Sequence, residues 1–123
     1  MPPQTPGPMP AFDPEIQAVW DEIGAPPATI QEARDQAVPV PPELLTADGL
    51  FFTVEDRALP DLGISLLIIR PVRAQAPTGA LYWIHGGGMF AGDNRSGVVG
   101  EALVAAREFN LAVVSVEYRL APE

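Results

Sequence analysis

The spacing of apolar residues near the start of the chain is that of amphipathic helices. Apolar side chains recur three and four positions apart at Ile16, Val19, Trp20 and Ile23. This period predicts a helix with one apolar face, which begins after a cap at Asp13 and ends at Gly24. A second, shorter helix is predicted from Thr29-Ile30-Gln31-Glu32, which has the spacing of a capping box, toward Ala37. The prolines at 39, 41 and 42 should stop it there.

Beyond residue 48 the period shortens to that of strands. Phe52 and Val54 alternate with polar residues, which predicts a half-exposed strand. A denser apolar run covers Ile64–Arg70 and ends at Pro71, where proline cannot donate to a ladder. The turn residues Asp61-Leu62-Gly63 lie between the two runs, so we expect an antiparallel pair joined at this point.

A strand, a helix and another strand follow. The apolar stretch Gly79–Ile84 predicts the third strand, and the helical spacing of apolar residues over Gly97–Phe109 predicts a helix that stops at Asn110. The continuously apolar segment Ala112–Val116 predicts the fourth strand. This order is a crossover unit, so the third and fourth strands should be parallel and buried on both faces. The predicted fold class is therefore α/β.

Composition excludes several kinds of partner. Seven arginines, no lysines and sixteen acidic residues give a formal net charge of -9, which should repel nucleic acid and anionic lipid. No cysteine is present, so disulfides and thiolate metal sites are excluded. The N-terminus has neither the basic start nor the apolar core of a signal peptide, and no apolar run could span a bilayer. We therefore expect a cytoplasmic protein without a membrane span, preceded by a flexible, proline-rich leader over residues 1–11.

The segment with the clearest chemical meaning follows the third strand. The strand residues Leu81–Ile84 lead directly into His85, the only histidine, and then into Gly86-Gly87-Gly88. Glycine loses more backbone entropy on ordering than any other residue, so three in succession need a reason. They allow a sharp turn that brings bare backbone amides close to a ligand. In acyl transfer, such amides stabilise the negative oxygen of a tetrahedral intermediate.

A second segment makes the interpretation specific. His85-Gly86-Gly87-Gly88, Gly92-Asp93 and Ser115-Val116-Glu117-Tyr118-Arg119-Leu120-Ala121-Pro122-Glu123 together resemble the hormone-sensitive-lipase branch of the α/β-hydrolase esterases and lipases. The resemblance implies the N-terminal half of that fold, with a helical cap segment at 12–45 and an incomplete core at 46–123. It implies hydrolysis of a small-molecule carboxylic ester through an acyl-serine intermediate, with no cofactor and no metal.

The resemblance also implies residue roles in the glycine loop. The backbone N–H groups of Gly87 and Gly88, next to Gly86, would form two donors of the oxyanion hole. His85 would brace the loop by hydrogen bonding to nearby backbone, since the base histidine of this family comes from a later loop. Asp93 would either anchor the same loop or cap the helix that follows it.

The residues of the second segment would support the site. Tyr118, Arg119 and Glu123 would tie the loop after strand four to the wall of the site. For Arg119, a purely structural ion pair with a carboxylate is an equal alternative. The family's third oxyanion donor, from the residue after the nucleophile, has no counterpart in this sequence.

The sequence does not contain a catalytic triad. The serines are Ser65, Ser96 and Ser115, and none lies in a Gly-x-Ser-x-Gly elbow. No histidine follows residue 85. We therefore expect an N-terminal fragment of an esterase that is inactive alone, with an unpaired apolar edge on the third strand. The alternative is a non-catalytic ligand-binding protein on the hydrolase fold.

Dinucleotide binding is a weaker alternative. The run Gly86-Gly87-Gly88-Met89-Phe90-Ala91 matches the spacing of a dinucleotide-binding loop, and Glu117 ends the next strand as a ribose ligand would. The following helix begins too late to receive a phosphate, and Asp93 places a negative charge beside it. Two antiparallel strands also precede the loop, which disfavours this interpretation.

Overall fold

A four-stranded mixed sheet lies at the centre of the molecule, in the order β1-β2-β4-β3. The computed structural model describes residues 11–24, 26–46, 49–72 and 79–123. The strands are β1 Phe52–Leu59, β2 Ile64–Pro71, β3 Gly79–Ile84 and β4 Leu111–Glu117. The helices are α1 Pro14–Ile23, α2 Ile30–Asp35, α3 Pro42–Thr46 and α4 Glu101–Phe109. None of the helices in these ranges is both long and apolar enough to cross a membrane.

The first two strands form the predicted antiparallel hairpin. Their register pairs Phe52 with Pro71 at one end and Leu59 with Ile64 at the other. A short 3-10 turn joins them and ends at Gly63, whose φ of 64° is left-handed and favours glycine. The predicted pair and its connection are confirmed.

The crossover unit is also present. β3 pairs with β4 in parallel, from Gly79 opposite Leu111 to Ile84 opposite Val116. The prediction that both strands are buried on both faces is wrong for β3, which pairs on one side only. Tyr82 and Ile84 point away from α4 and are 58% and 63% exposed. The apolar run predicts that a strand forms. It does not predict which strands and helices surround that strand, because the order of strands in the sheet decides this.

The core lies on the face of the sheet that α4 covers. Its buried members come from β1, β2, β4, α3, α4 and the turn before α4, and are Leu45, Phe52, Leu67, Ile69, Val98, Ala102, Leu103, Ala106 and Val113. Helix α4 begins at Glu101 rather than at the predicted Gly97, because residues 94–100 form turns. It ends as predicted, at Asn110 with a left-handed φ of 52°.

The N-terminal helices begin where their capping residues predict. The Asp13 side chain accepts a hydrogen bond from the Glu15 amide at 2.9 Å, and Gly24 follows the last turn of α1. At α2, the Thr29 hydroxyl accepts from the Glu32 amide at 3.1 Å. The reciprocal bond comes from the Ala28 amide, which donates to Glu32 Oε2 at 2.8 Å.

The sequence analysis missed helix α3. Its first residue is Pro42, one of the prolines that were expected only to end α2. Proline fits the first turn of a helix because the N–H it lacks would have no partner there. Leu45 of this helix is fully buried in the core. Helix α2 is shorter than predicted and ends at Asp35, while residues 1–10 of the predicted leader lie outside the described residues.

Candidate oxyanion site

The loop after β3 has the backbone conformation that its glycines permit. Gly87, Gly88 and Met89 are consecutive residues with positive φ, at 112°, 63° and 69°. A Cβ atom added to Gly87 would lie 2.5 Å from the carbonyl carbon of Ala91, a distance that real side chains do not reach. Glycine is therefore required at position 87 by both its dihedral angle and the close approach of the chain.

Some of the amides in this turn have no acceptor among the described residues. The Gly87 carbonyl oxygen accepts from the amides of Phe90 at 3.2 Å and Ala91 at 3.0 Å, which closes the turn. In the described part of the chain, the N–H groups of Gly87 and Gly88 donate to no acceptor, and both residues are exposed. Two adjacent free donors on a fixed turn can bind a developing oxyanion.

His85 is buried beneath this loop. It is 4% exposed, and its Nδ1 lies 2.8 Å from the Gly86 carbonyl oxygen. The Tyr118 hydroxyl donates to the His85 carbonyl oxygen at 2.8 Å, and the two rings stack with centroids 4.2 Å apart. A Cβ on Gly92 would lie 2.8 Å from His85 Nδ1, so Gly92 makes room for the imidazole. Tyr118 thus links the loop after β4 to the base of the glycine loop.

The other imidazole nitrogen has no hydrogen-bond partner among the described residues. His85 Nε2 lies 3.8 Å from Glu117 Oε1, while Glu117 Oε2 accepts from the Asn94 amide at 2.8 Å. Glu117 is therefore engaged in holding the turn after the glycine loop. The Ser115 hydroxyl is fully buried in β4, and no hydrogen bond joins His85 to any of the three serines.

Asp93 holds the turn that follows the loop. Its Oδ1 accepts from the amides of Arg95 at 2.7 Å and Ser96 at 2.9 Å. Helix α4 begins only at Glu101, so Asp93 does not cap that helix. Both contacts lie within the turn that follows the glycine loop, so the anchoring of that loop by Asp93 stays a prediction.

Arg119 does not have the predicted contacts. Its side chain is exposed, and it forms no ion pair or hydrogen bond with the residues that the structure describes. The ion pair at this end of the chain joins Glu123 to Arg34 of α2, with Nη1 2.8 Å from Oε1. This hydrogen-bonded pair lowers the pKa of Glu123 to about 2. Arg34 was missed because no sequence signal connects positions so far apart.

Comparison with known proteins agrees with this architecture. Residues 81–123 match a family model described as the alpha/beta hydrolase fold. The crystal structure of DphMB1 is 32% identical to the chain, with a TM-score of 0.57 over 93% of this chain and 37% of that one. An esterase/lipase from an uncultured bacterium is 22% identical, with a TM-score of 0.55 over 88% of this chain and 35% of that one. Vibralactone cyclase is 21% identical, with a TM-score of 0.50 over 96% and 33%.

These similarities establish the fold. The chain has the N-terminal part of an α/β-hydrolase fold, with an antiparallel strand pair followed by a parallel crossover. It spans about a third of the length of the solved structures it matches. No curated protein matches the chain.

Proposed function

We propose that this chain supplies the oxyanion-binding loop of a carboxylic ester hydrolase of the hormone-sensitive-lipase type. The observation that carries the proposal is the pair of exposed amides of Gly87 and Gly88, which have no acceptor among the described residues and follow the end of the parallel strand β3. The buried His85, with the half-buried Tyr118 stacked on its ring, supports the loop from below. The similarity to α/β-hydrolases over residues 81–123 supports the reaction class.

The two amides would act on the ester carbonyl. When a nucleophile attacks this carbonyl, its oxygen gains negative charge, and N–H donors that are already oriented stabilise that charge without reorganisation. Loss of one such donor raises the barrier by about 2.7–4 kcal/mol in hydrolases of this kind. The absence of side chains at Gly87 and Gly88 leaves the approach to both amides open.

The nucleophile and the base are not supplied by this chain. No Gly-x-Ser-x-Gly elbow is present in the sequence, and the single histidine is buried beneath the loop with its Nδ1 against a backbone carbonyl. The 123-residue chain alone should therefore give no ester turnover. The nucleophile, the acid, the base and the third oxyanion donor would belong to the rest of such a hydrolase.

The charge of the chain suits a neutral substrate. With a net charge of -9, the protein should repel nucleic acid and other polyanions but not an uncharged small ester. The proposed substrate class is a small-molecule carboxylic ester.

A titration followed by amide NMR tests the proposal. Diethyl phosphate, a tetrahedral monoanion, imitates the intermediate and should shift the amide signals of Gly87 and Gly88. Gly63 is a matched control, since it also has a left-handed φ, but its N–H donates to the Pro60 carbonyl oxygen. Gly87→Ala should abolish the response, and Gly63→Ala should retain it.

Three outcomes would contradict the oxyanion site, and a fourth would contradict the expected inactivity of the chain alone. Equal shifts at Gly63 and Gly87, or no shift at either, would remove the oxyanion site. A saturating response to micromolar NAD would favour the dinucleotide interpretation instead. Hydrolysis of p-nitrophenyl butyrate that Gly87→Ala abolishes and Gly63→Ala preserves would show that the chain is active alone.

A further inference from the structure

Arg34 of helix α2 connects the cap segment to the two loops of the candidate site. Its guanidinium makes four hydrogen bonds to three distant residues. Nε donates to the Phe90 carbonyl oxygen at 2.8 Å, and Nη2 donates to the Ala121 carbonyl oxygen at 2.9 Å. Nη1 and Nη2 each donate to one carboxylate oxygen of Glu123 at 2.8 Å. The planar fork of arginine can satisfy all of these acceptors at once, which an ammonium group cannot.

One series of hydrogen bonds runs from Arg34 to an oxyanion donor. The Phe90 carbonyl and the Ala91 N–H belong to the same peptide group, and this N–H donates to the Gly87 carbonyl oxygen at 3.0 Å. The Gly87 carbonyl in turn shares its peptide group with the N–H of Gly88. The cationic side chain is therefore two peptide groups away from the unbonded Gly88 amide.

A second series reaches the same carbonyl from the loop after β4. The Ala121 N–H donates to the Met89 carbonyl oxygen at 2.8 Å. This carbonyl shares its peptide group with the Phe90 N–H, which donates to the Gly87 carbonyl oxygen at 3.2 Å. Arg34 also bonds to the Ala121 carbonyl, which belongs to the next peptide group, so it contacts the outer residue of this second series without being part of it.

We propose that Arg34 is a positioning residue for the oxyanion loop, and that it both fixes and polarises the Gly88 N–H through the intervening peptide groups. The inference rests on the proposed function and adds a residue of the cap segment to it. Hydrogen bonds in series polarise one another, and a positive charge at the donor end strengthens the last N–H as a donor. In the first series, each peptide group accepts at its carbonyl oxygen and presents its N–H on the side toward Gly88, so the dipoles of the groups point the same way.

The expected role is local rather than global. Glu123 is an exposed partner, and exposed ion pairs contribute little to the stability of a fold. The Phe90 and Ala91 amides, in contrast, donate within the turn, and Arg34 holds that turn at the Phe90 carbonyl oxygen. Loss of the guanidinium should therefore loosen the glycine loop and leave the sheet unchanged.

Hydrogen exchange in three variants tests this role. Arg34→Met removes the donors and keeps the length of the side chain, while Arg34→Lys keeps the charge without the fork. Arg57→Met is the matched control, because Arg57 also pairs with a glutamate, Glu55, but on the hairpin. Exchange of the Ala91 amide should be about tenfold faster in Arg34→Met, intermediate in Arg34→Lys and unchanged in Arg57→Met. Exchange at Val113 in the core should stay constant in all three.

Three further measurements make the test independent of exchange. In Arg34→Met, the pKa of Glu123 should return from about 2 toward its ordinary value of 4.5. The proton signal of the Gly88 amide should move upfield, as it does when a donor becomes less polarised, and the affinity for diethyl phosphate should fall about threefold to tenfold.

Specific results would overturn the inference. Unchanged exchange at Ala91 in Arg34→Met, or equal acceleration in Arg57→Met, would show that Arg34 does not hold the loop. Unchanged exchange of the Ala91 amide in Arg34→Lys would show that a positive charge at position 34 is sufficient and that the guanidinium fork is not needed. If diethyl phosphate shifts no amide of the unmodified chain, the proposed function fails, whereas the exchange data still decide whether Arg34 positions the loop.

Discussion

Helices α1 and α4 have the same periodic apolar face, yet their surroundings differ completely. In α4, Ala102, Leu103 and Ala106 pack against the sheet and are buried. In α1, Ile16 and Ile23 are 55% and 72% exposed, and no residue of the helix is buried. An apolar period therefore predicts that a helix has a face suited to burial. It does not predict what covers that face.

The connection to the sheet explains the difference. Along the chain, helix α4 connects the parallel strands β3 and β4, and such a crossover places the apolar face of the helix on the sheet. Helix α1 has no such constraint. The next helix, α2, contacts the candidate site through the polar side chain of Arg34, whose acceptors are in loops rather than in the core.

The largest difference should appear when each helix loses one apolar side chain. Leu103→Ala should lower the free energy of unfolding by about 2–5 kcal/mol, since it leaves a cavity against the sheet. Ile16→Ala should change it by no more than about 0.5 kcal/mol, because the side chain is already half exposed. Urea denaturation followed by circular dichroism measures both. Equal losses would show that the face of α1 is covered in solution.

The next largest effect separates two left-handed glycines. Gly63→Ala on the hairpin should cost about 1–2 kcal/mol for the backbone conformation alone, as nothing lies within 4 Å of an added Cβ. Gly87→Ala should cost more, because the added atom also meets the Ala91 backbone. The same denaturation experiment compares them. A smaller loss for Gly87→Ala would mean that the loop relaxes easily.

The contrast between the two parallel strands gives a smaller effect on stability. Ile84 at the edge is exposed, whereas its partner Val116 in β4 is buried. Ile84→Lys should reduce aggregation, measured by light scattering at increasing concentration, since a charge on an open edge opposes strand addition. The free energy of unfolding should change by about 0.5 kcal/mol or less. Unchanged aggregation would exclude β3 as the associating edge.

The smallest effect concerns the pH dependence of the polar link. The hydrogen bonds from Arg34 lower the pKa of Glu123 to about 2, so its contribution is complete above its ordinary value of 4.5 and is lost as the pH falls through 2. A carbon-detected titration of the Glu123 carboxyl should give this midpoint. Addition of 1 M salt should raise the midpoint, because the pair is exposed to solvent. A midpoint near 4.5 at low salt would contradict the contact.

The amino-acid sequence was sufficient for most local elements. The Asp13 and Thr29 caps, the hairpin turn at Gly63 and the stop at Asn110 all lie where short-range chemistry predicts them. The resemblance of two short segments was also enough to predict the N-terminal part of the α/β-hydrolase fold. Each of these features depends on residues close together in the chain, so a local pattern contains the information.

Contacts between distant segments depended on the tertiary structure. The sheet order exposes β3, although its composition resembles that of the buried β4. The fold places Arg34, which no sequence pattern singled out, against Glu123 and the Phe90 carbonyl. The hydrogen bonds of Arg34 join three separate segments of the chain: helix α2, the glycine loop and the loop after β4. Such an arrangement has no local signal, because the partners meet only after the sheet has brought the strand ends and the cap segment together.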